Sequence, residues 1–256
     1  MTTARICKQA GLLLVISIAF MGCSPSGVTV QALNPANQAA VQEYEIVPED
    51  YENGSVHIRY PQLRQLNAPP ERMQMINALL RAEALKGLHY YKDTTHPYTL
   101  SIDFTVTLRS SKLLSVQYRG SGYVDGAAHP NPLFYTTNVD LVRGNRLKLD
   151  DFVPIDGRLV HKFKHGRFKA VNPRMASLPE QLSKDELMRM FQRADDLDRI
   201  GTEDQSDTFS YLTKEALGIS IGVGHAAGGH AEFEIRYADL TKTFKQIQNE
   251  KYGPFR

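Results

Sequence analysis

The sequence predicts an α+β domain: an antiparallel β-sheet, made of a meander and a C-terminal hairpin, with helices packed on one face. Three observations predict it. Leu100, Ile102, Phe104, Val106 and Leu108 alternate with polar residues from Tyr98 onward, the period-two signature of a strand with one buried and one wet face. Elsewhere, apolar residues recur at helical spacing behind capping residues. The elements follow one another as β-α-β-β-β-β-α-α-β-β, which lacks the strict alternation of a parallel α/β fold.

Val56, Ile58 and Tyr60 alternate with His57 and Arg59, giving a first short strand ended by Pro61. Asn53-Gly54-Ser55 before it reads as a tight turn. Asn67 is the expected cap of a helix with Pro69 and Pro70 in its first turn and an apolar stripe of Met73, Ile76, Leu79 and Leu80, ended by Gly87. After the Tyr98–Leu108 strand, a turn over Arg109–Lys112 leads to a strand from Leu113 to Tyr123 and another from Leu133 to Leu141. Gly144-Asn145 then turns the chain into a short strand, Leu147–Leu149. Asp156 caps an expected helix from Gly157 to Val171, stopped by Asn172-Pro173. Ser183 and Glu186 form a capping box ahead of the Leu187, Met190, Phe191, Ala194 stripe. Asp195 to Asp207 reads as a solvated acidic loop, and strands around Phe209–Val223 and Ala231–Tyr237 close the chain.

The N-terminus predicts export. Arg5 and Lys8 precede an apolar run from Gly11 to Met21, too short to span a hydrocarbon core that needs ~20 residues. Phe20-Met21-Gly22-Cys23 resembles the lipobox of bacterial lipoproteins, with Phe20 where Leu is usual. The expected organisation is a lipoprotein signal peptide over residues 1–22, a flexible tether over 23–50, an α+β domain over 51–245 and a C-terminal tail over 246–256. Lipid on Cys23 would hold the chain on the outer side of a bacterial membrane, with the bilayer as its first partner. The chain has two cysteines; Cys7 would leave with the signal and Cys23 would be modified, so the folded part could use no disulfide, thiolate metal site or Cys nucleophile. Removing Arg5 and Lys8 from the 30 basic residues leaves 28 against 28 acidic ones, and a nucleic-acid partner is not expected.

Three segments resemble the extracytoplasmic PdaC/RsiV-like domain family. They are Val56–Tyr60-Pro61 before a helix; Tyr118 through His129 with the turn Gly126-Ala127-Ala128-His129, running on to Val139-Asp140-Leu141 and Leu147–Phe152; and Phe209–Leu217 with Phe233–Leu240 as a closing hairpin. The family's turn has two glycines, and here one is Ala. The resemblance covers residues 55–242 and implies an envelope-facing α+β domain. In that family the domain occurs as the lysozyme-sensing ectodomain of an anti-sigma factor, in a peptidoglycan deacetylase, and in lipoproteins of unknown role. Neither named activity is expected to carry over: the anti-sigma role needs a cytosolic sigma-binding segment and a membrane span, and Asp150-Asp151 and Asp195-Asp196 lack the setting of the deacetylase metal motif.

Two sets of residues are candidates for function. Tyr123, Asp125, His129, Asn131 and Tyr135 surround the most loop-like part of the resemblance, a mix of aromatic and hydrogen-bonding groups suited to sugar or protein surfaces. His129, His225 and His230 lie in two Gly- and Ala-rich turns; if the turns met, three imidazoles could bind zinc with an open position. The bland alternative for both sets is polar turn residues. His161 and His165 share a helix face with Lys162, Lys164, Arg167 and Lys169, either a basic face toward anionic polymer or headgroups, or a solvated face balanced by the acidic stretch. Gly218-Ile219-Ser220-Ile221-Gly222 matches Gly-x-Ser-x-Gly in letters but lies within strand alternation, and no motif frames Ser101, Ser115 or Ser121. The expected function is a surface-anchored lipoprotein whose domain, without cofactor or catalysis, binds a cell-envelope ligand, either peptidoglycan glycan or a lysozyme-like protein. The alternatives are a metal-dependent enzyme acting on envelope glycan through the His site, and an assembly or regulatory lipoprotein with a protein partner.

Overall fold

The computed structural model describes residues 44–240. The expected signal peptide, Cys23 and the C-terminal tail lie outside the described residues. The fold is α+β, built on two sheets. Six strands lie in the order β1-β2-β3-β4-β5-β6: β1 (Glu45–Asn53), β2 (Val56–Arg64), β3 (Tyr98–Arg109), β4 (Leu113–Val124), β5 (Asn131–Asp140) and β6 (Asn145–Leu147). A four-stranded sheet has the order β7-β10-β9-β8, from β7 (Lys169–Ala170), β8 (Phe209–Leu212), β9 (Ala216–Gly222) and β10 (His230–Arg236). The helices are α1 (Pro70–Ala84), α2 (Leu149–Phe152), α3 (Gly157–Lys164), α4 (Leu178–Gln181) and α5 (Lys184–Gln192).

Several elements differ from the sequence expectation. Glu45 to Asp50 was expected as tether but is strand: β1 pairs with β2 along its whole length through a hairpin whose turn is Gly54-Ser55, with Gly54 at φ +60°. The larger sheet is not purely antiparallel, since Val56–Ile58 of β2 pairs in parallel with Leu100–Ile102 of β3. Parallel neighbours need a crossover, and α1 supplies it. Asn67 does not cap α1; Pro69 stands at that position without a side-chain bond. Asn77 instead fastens α1 to β2, accepting from Leu63 N (2.7 Å) and donating to Leu63 O (2.9 Å). Beyond α1 a 3-10 helix runs from Leu85 through Gly87 to Tyr91. Gly87 is needed there for space, because a Cβ would lie 2.4 Å from the Ile102 side chain.

Leu147–Leu149 divides between β6 and α2. Helix α3 ends at Lys164, not Val171, because Gly166 turns left-handed (φ +70°) and the following residues join the smaller sheet as β7. The Asp156 cap and the Ser183–Glu186 capping box form as expected. Phe209–Val223 is a hairpin, in which the Thr213 hydroxyl accepts from Ala216 N at 2.9 Å and the chain turns between β8 and β9.

Packing follows the apolar faces. Ile76, Leu80 and Ala84 of α1 cover Leu100, Ile102, Val116, Tyr118 and Tyr135. Tyr118 and Tyr135 stack at 4.9 Å and donate to the carbonyls of Leu80 and Ala84. A second cluster joins Ile219, Phe233 and Ile235 to Leu159 and Phe163 of α3 and Phe191 of α5, with Phe163 touching Phe168, Phe191 and Phe233 at 5.0–5.2 Å.

A buried polar seam joins the two sheets. The outer edge of β8 has no strand beside it; side chains serve it instead. Thr136 and Asn138 donate to Ser210 O (2.5 and 2.9 Å), and Leu212 N donates to the Ser115 hydroxyl (3.0 Å). Asp195 completes the seam. It was expected in a solvated loop, yet it is 2% exposed and accepts from Ser210 N (2.6 Å), Ser210 Oγ (2.6 Å) and Leu149 N (2.8 Å).

Candidate functional site

The two Gly- and Ala-rich turns meet at one end of the molecule. One joins β4 to β5 and the other joins β9 to β10. Gly228 and Gly229 have φ of +97° and +82°, a conformation that favours glycine, and a Cβ on Gly229 would lie 2.5 Å from Pro132 Cγ. The second turn can therefore rest directly on the first. His225 Nε2 lies 2.7 Å from Pro130 O, so this nitrogen carries the proton and donates. The His129 ring stacks on the His225 ring at 3.6 Å, inclined by 24°.

His230 faces a different set of groups. Its ring stacks on Phe134 at 4.3 Å, and Arg119 lies over that same phenyl ring at 4.8 Å. His230 Nε2 is 2.9 Å from Arg119 Nη1, and a guanidinium only donates, so His230 accepts as a neutral imidazole. Burial, with help from the Arg119 charge, holds its pKa below the ordinary value against the opposing pull of Glu232. Arg119 Nη2 also donates to Glu232 (2.6 Å) and Gln117 (3.1 Å), tying β4 to β10.

The condition posed for the three histidines, that the turns meet, is fulfilled, but the imidazoles do not form a chelating set. Ring-nitrogen lone pairs lie in the ring plane, so the stacked His129 and His225 present theirs in nearly parallel planes, away from a common point. His225 Nε2 and His230 Nε2 are already engaged. Among the described residues no group of three or more His, Cys, Asp or Glu is arranged to hold a metal ion.

The other expected site residues separate. Asn131 lines the cleft described below. Asp125 is exposed in the turn and its N–H donates to Pro97 O. Tyr123 is half-buried on β4 opposite Thr99. Tyr135 is 0% exposed beneath α1 and cannot meet a surface ligand. Ser220 is buried in the middle of β9, away from any strand-to-helix turn. His161 and His165 are exposed at 4.2 Å from each other. Neighbouring Lys162 and Lys164 donate to backbone carbonyls of Asp239 and of residues 179–182. The acidic stretch does not balance that face: Asp195 is buried, Asp198 pairs with Lys86 and Arg146, and Asp204 pairs with Arg193 and Arg199.

Beside the joined turns lies a cleft of about 160 Å³, walled by Tyr90, Asn131, Phe134, Asp207, His225 and His230. It shares Gln205, Asp207, Gly222, Val223 and Gly229 with an open groove of about 520 Å³ that runs to Glu186 and Arg189 on α5 and to Arg193 just after it. Asp207 stands where the two spaces join. It fits because residue 222 is glycine; a Cβ there would lie 2.6 Å from Asp207 Cβ. Gln205 Nε2 donates to its carboxylate at 2.8 Å, and crowding by the walls raises its pKa above the ordinary value. The Tyr90 phenol is pushed up by burial and then by the Asp207 charge. Sequence reasoning missed Tyr90, Asp207 and Arg189; the Gly-rich ends of β9 and β10 were the available signal.

No protein-family model matches the chain, and no curated protein does. Two crystal structures of DUF3298 family proteins are similar to it. The one from Bacteroides fragilis is 17% identical, covering 80% of this chain and 96% of its own, with a TM-score of 0.45. The one from Pseudomonas aeruginosa is 15% identical, covering 77% and 91%, with a TM-score of 0.43. The structural neighbours of this chain are therefore proteins of an uncharacterised domain family.

Proposed function

We propose that this chain is a lipoprotein of the bacterial envelope, held by lipid on Cys23 outside the membrane, whose domain binds an envelope ligand without transforming it. The resemblance to PdaC/RsiV-like domains, which face the envelope, supports the location. The observation that carries the binding role is the continuous cleft and groove beside the joined turns, which places hydrogen-bonding groups of several kinds along one open path. The histidines next to it are engaged in holding the turns and the Arg119–Glu232 pair, which favours binding over catalysis.

The test is retention of the full chain by insoluble peptidoglycan and by immobilised lysozyme, with mass spectrometry of the N-terminal peptide from cells. Retention by either ligand that weakens in an Asn131→Ala, Asp207→Asn double variant is the expected result. No retention by either removes the binding role, and an unmodified Cys23 removes the anchor.

A further inference from the structure

We infer that the groove recognises a short zwitterionic peptide strand, with a primary ammonium of the ligand on Asp207 and a carboxylate of the ligand on Arg189. The inference rests on the binding role proposed above and names the ligand class for that site.

Four charged side chains line the groove: Glu186, Arg189, Arg193 and Asp207. Two have protein partners. Arg193 donates to the backbone and carboxylate oxygens of Asp204, and Glu186 accepts from Ser183 N in the α5 capping box. The other two have no ion-pair partner among the described residues. Asp207 has one neutral donor, Gln205, and Arg189 is exposed on α5. Asp207 is itself exposed in the groove, and a carboxylate without a cation gains more from an incoming ammonium than one already paired. Desolvation by the groove walls raises its proton affinity, against the hydrogen bond from Gln205.

The wall of the groove suits a peptide. Gly222, Val223 and Gly224 are part of it, so backbone can approach backbone there without intervening side chains at two of three positions. A neutral saccharide would ask for aromatic platforms, and Tyr90 with the His129–His225 pair lies at one end only. Opposite charges in one groove whose wall includes glycines fit a ligand that carries both signs.

Titration calorimetry of the full chain with the tripeptide Ala-Ala-Ala, its N-terminally acetylated form and its carboxyl-amidated form tests this. The free tripeptide is expected to bind about tenfold or more tightly than either neutralised form. Asp207→Asn should remove the penalty for acetylation while keeping that for amidation, and Arg189→Ala should do the reverse; circular dichroism checks that each variant is folded. Equal binding of all three peptides, or no binding of the free one, overturns the inference. Peptidoglycan stripped of its peptides by an amidase separates this from failure of the broader reading. Undiminished retention on bare glycan together with no tripeptide binding overturns the peptide assignment alone, whereas no retention by intact or stripped material or by immobilised lysozyme overturns both.

Discussion

Replacing Asp195 by Asn isolates the one carboxylate that sits in the seam between the sheets. Burial pushes the Asp195 carboxyl up to about 6, in spite of its hydrogen bonds from Ser210 and Leu149. A folded-state value above the unfolded one means that the native state holds the proton more tightly. The contribution of Asp195 to stability is therefore largest in acid and declines as pH rises through the window from about 4 to about 6. At ~1.4 kcal/mol per pH unit, that window corresponds to about 3 kcal/mol. Asn tolerates the left-handed backbone found here, φ +61°, so the substitution changes the charge and one donor–acceptor match with little backbone cost. The assay is urea unfolding of wild type and Asp195→Asn at several pH values from 4.5 to 7.5. Glu83 and Asp207 are also raised and His230 is lowered, so the wild-type curve alone is composite. The difference between the two proteins cancels those groups, and the wild-type advantage should shrink by about 2 kcal/mol across the range. A flat difference would refute burial as the controlling influence. An advantage that grows with pH would show that the three donors outweigh desolvation and depress the pKa instead.

Arg146→Ala leaves Glu83, itself 5% exposed, buried without its 2.9 Å partner and should cost about 3–5 kcal/mol in chemical denaturation, part of which Glu83→Gln restores. Tyr135→Phe removes the donor to Ala84 O and should cost about 1 kcal/mol while leaving ligand retention unchanged, as its place beneath α1 requires. Ser183→Ala opens the capping box of α5 and should lower stability by ~1 kcal/mol, measured by thermal unfolding. His225→Ala loses the bond to Pro130 O and the stack on His129; amide resonances across both turns should shift, while global stability changes by about 1 kcal/mol or less because the pair is exposed.

What could be read from the sequence was whatever a local pattern decides. The alternation of β3, the Asp156 cap and the Ser183–Glu186 box each place the signal and its structural consequence within a few residues. Strand β1 escaped because it is an edge: Glu45, Glu49, Asp50 and Glu52 are exposed and Pro48 interrupts it, so its composition resembles a tether although every residue pairs with β2. Those charges and the proline are the usual protection of an edge against further pairing. Its strand character comes from β2, not from itself. Helix α3 was overextended because helical propensity does not register a glycine that must turn left-handed.

Asp195 and Asp207 show why the site itself was harder to read. They bracket the same polar stretch and look alike in sequence. One is drawn inside because the edge of β8 leaves Ser210 N without a strand partner, and an acceptor is needed there. The other stands at the mouth of a groove because Gly222 leaves room beside the end of β9. Both fates are set by a residue on a neighbouring strand, and neither is a property of the acidic stretch. The histidines behave in the same way: the sequence left open whether the turns that carry them meet, and their chemistry is decided by Pro130 O, Phe134 and Arg119. A histidine in a glycine-rich turn is available to a ligand only after its neighbours have been served. Of the four charged side chains lining the groove, Asp207 and Arg189 have no ion-pair partner among the described residues, and they are the ones on which the proposed recognition rests.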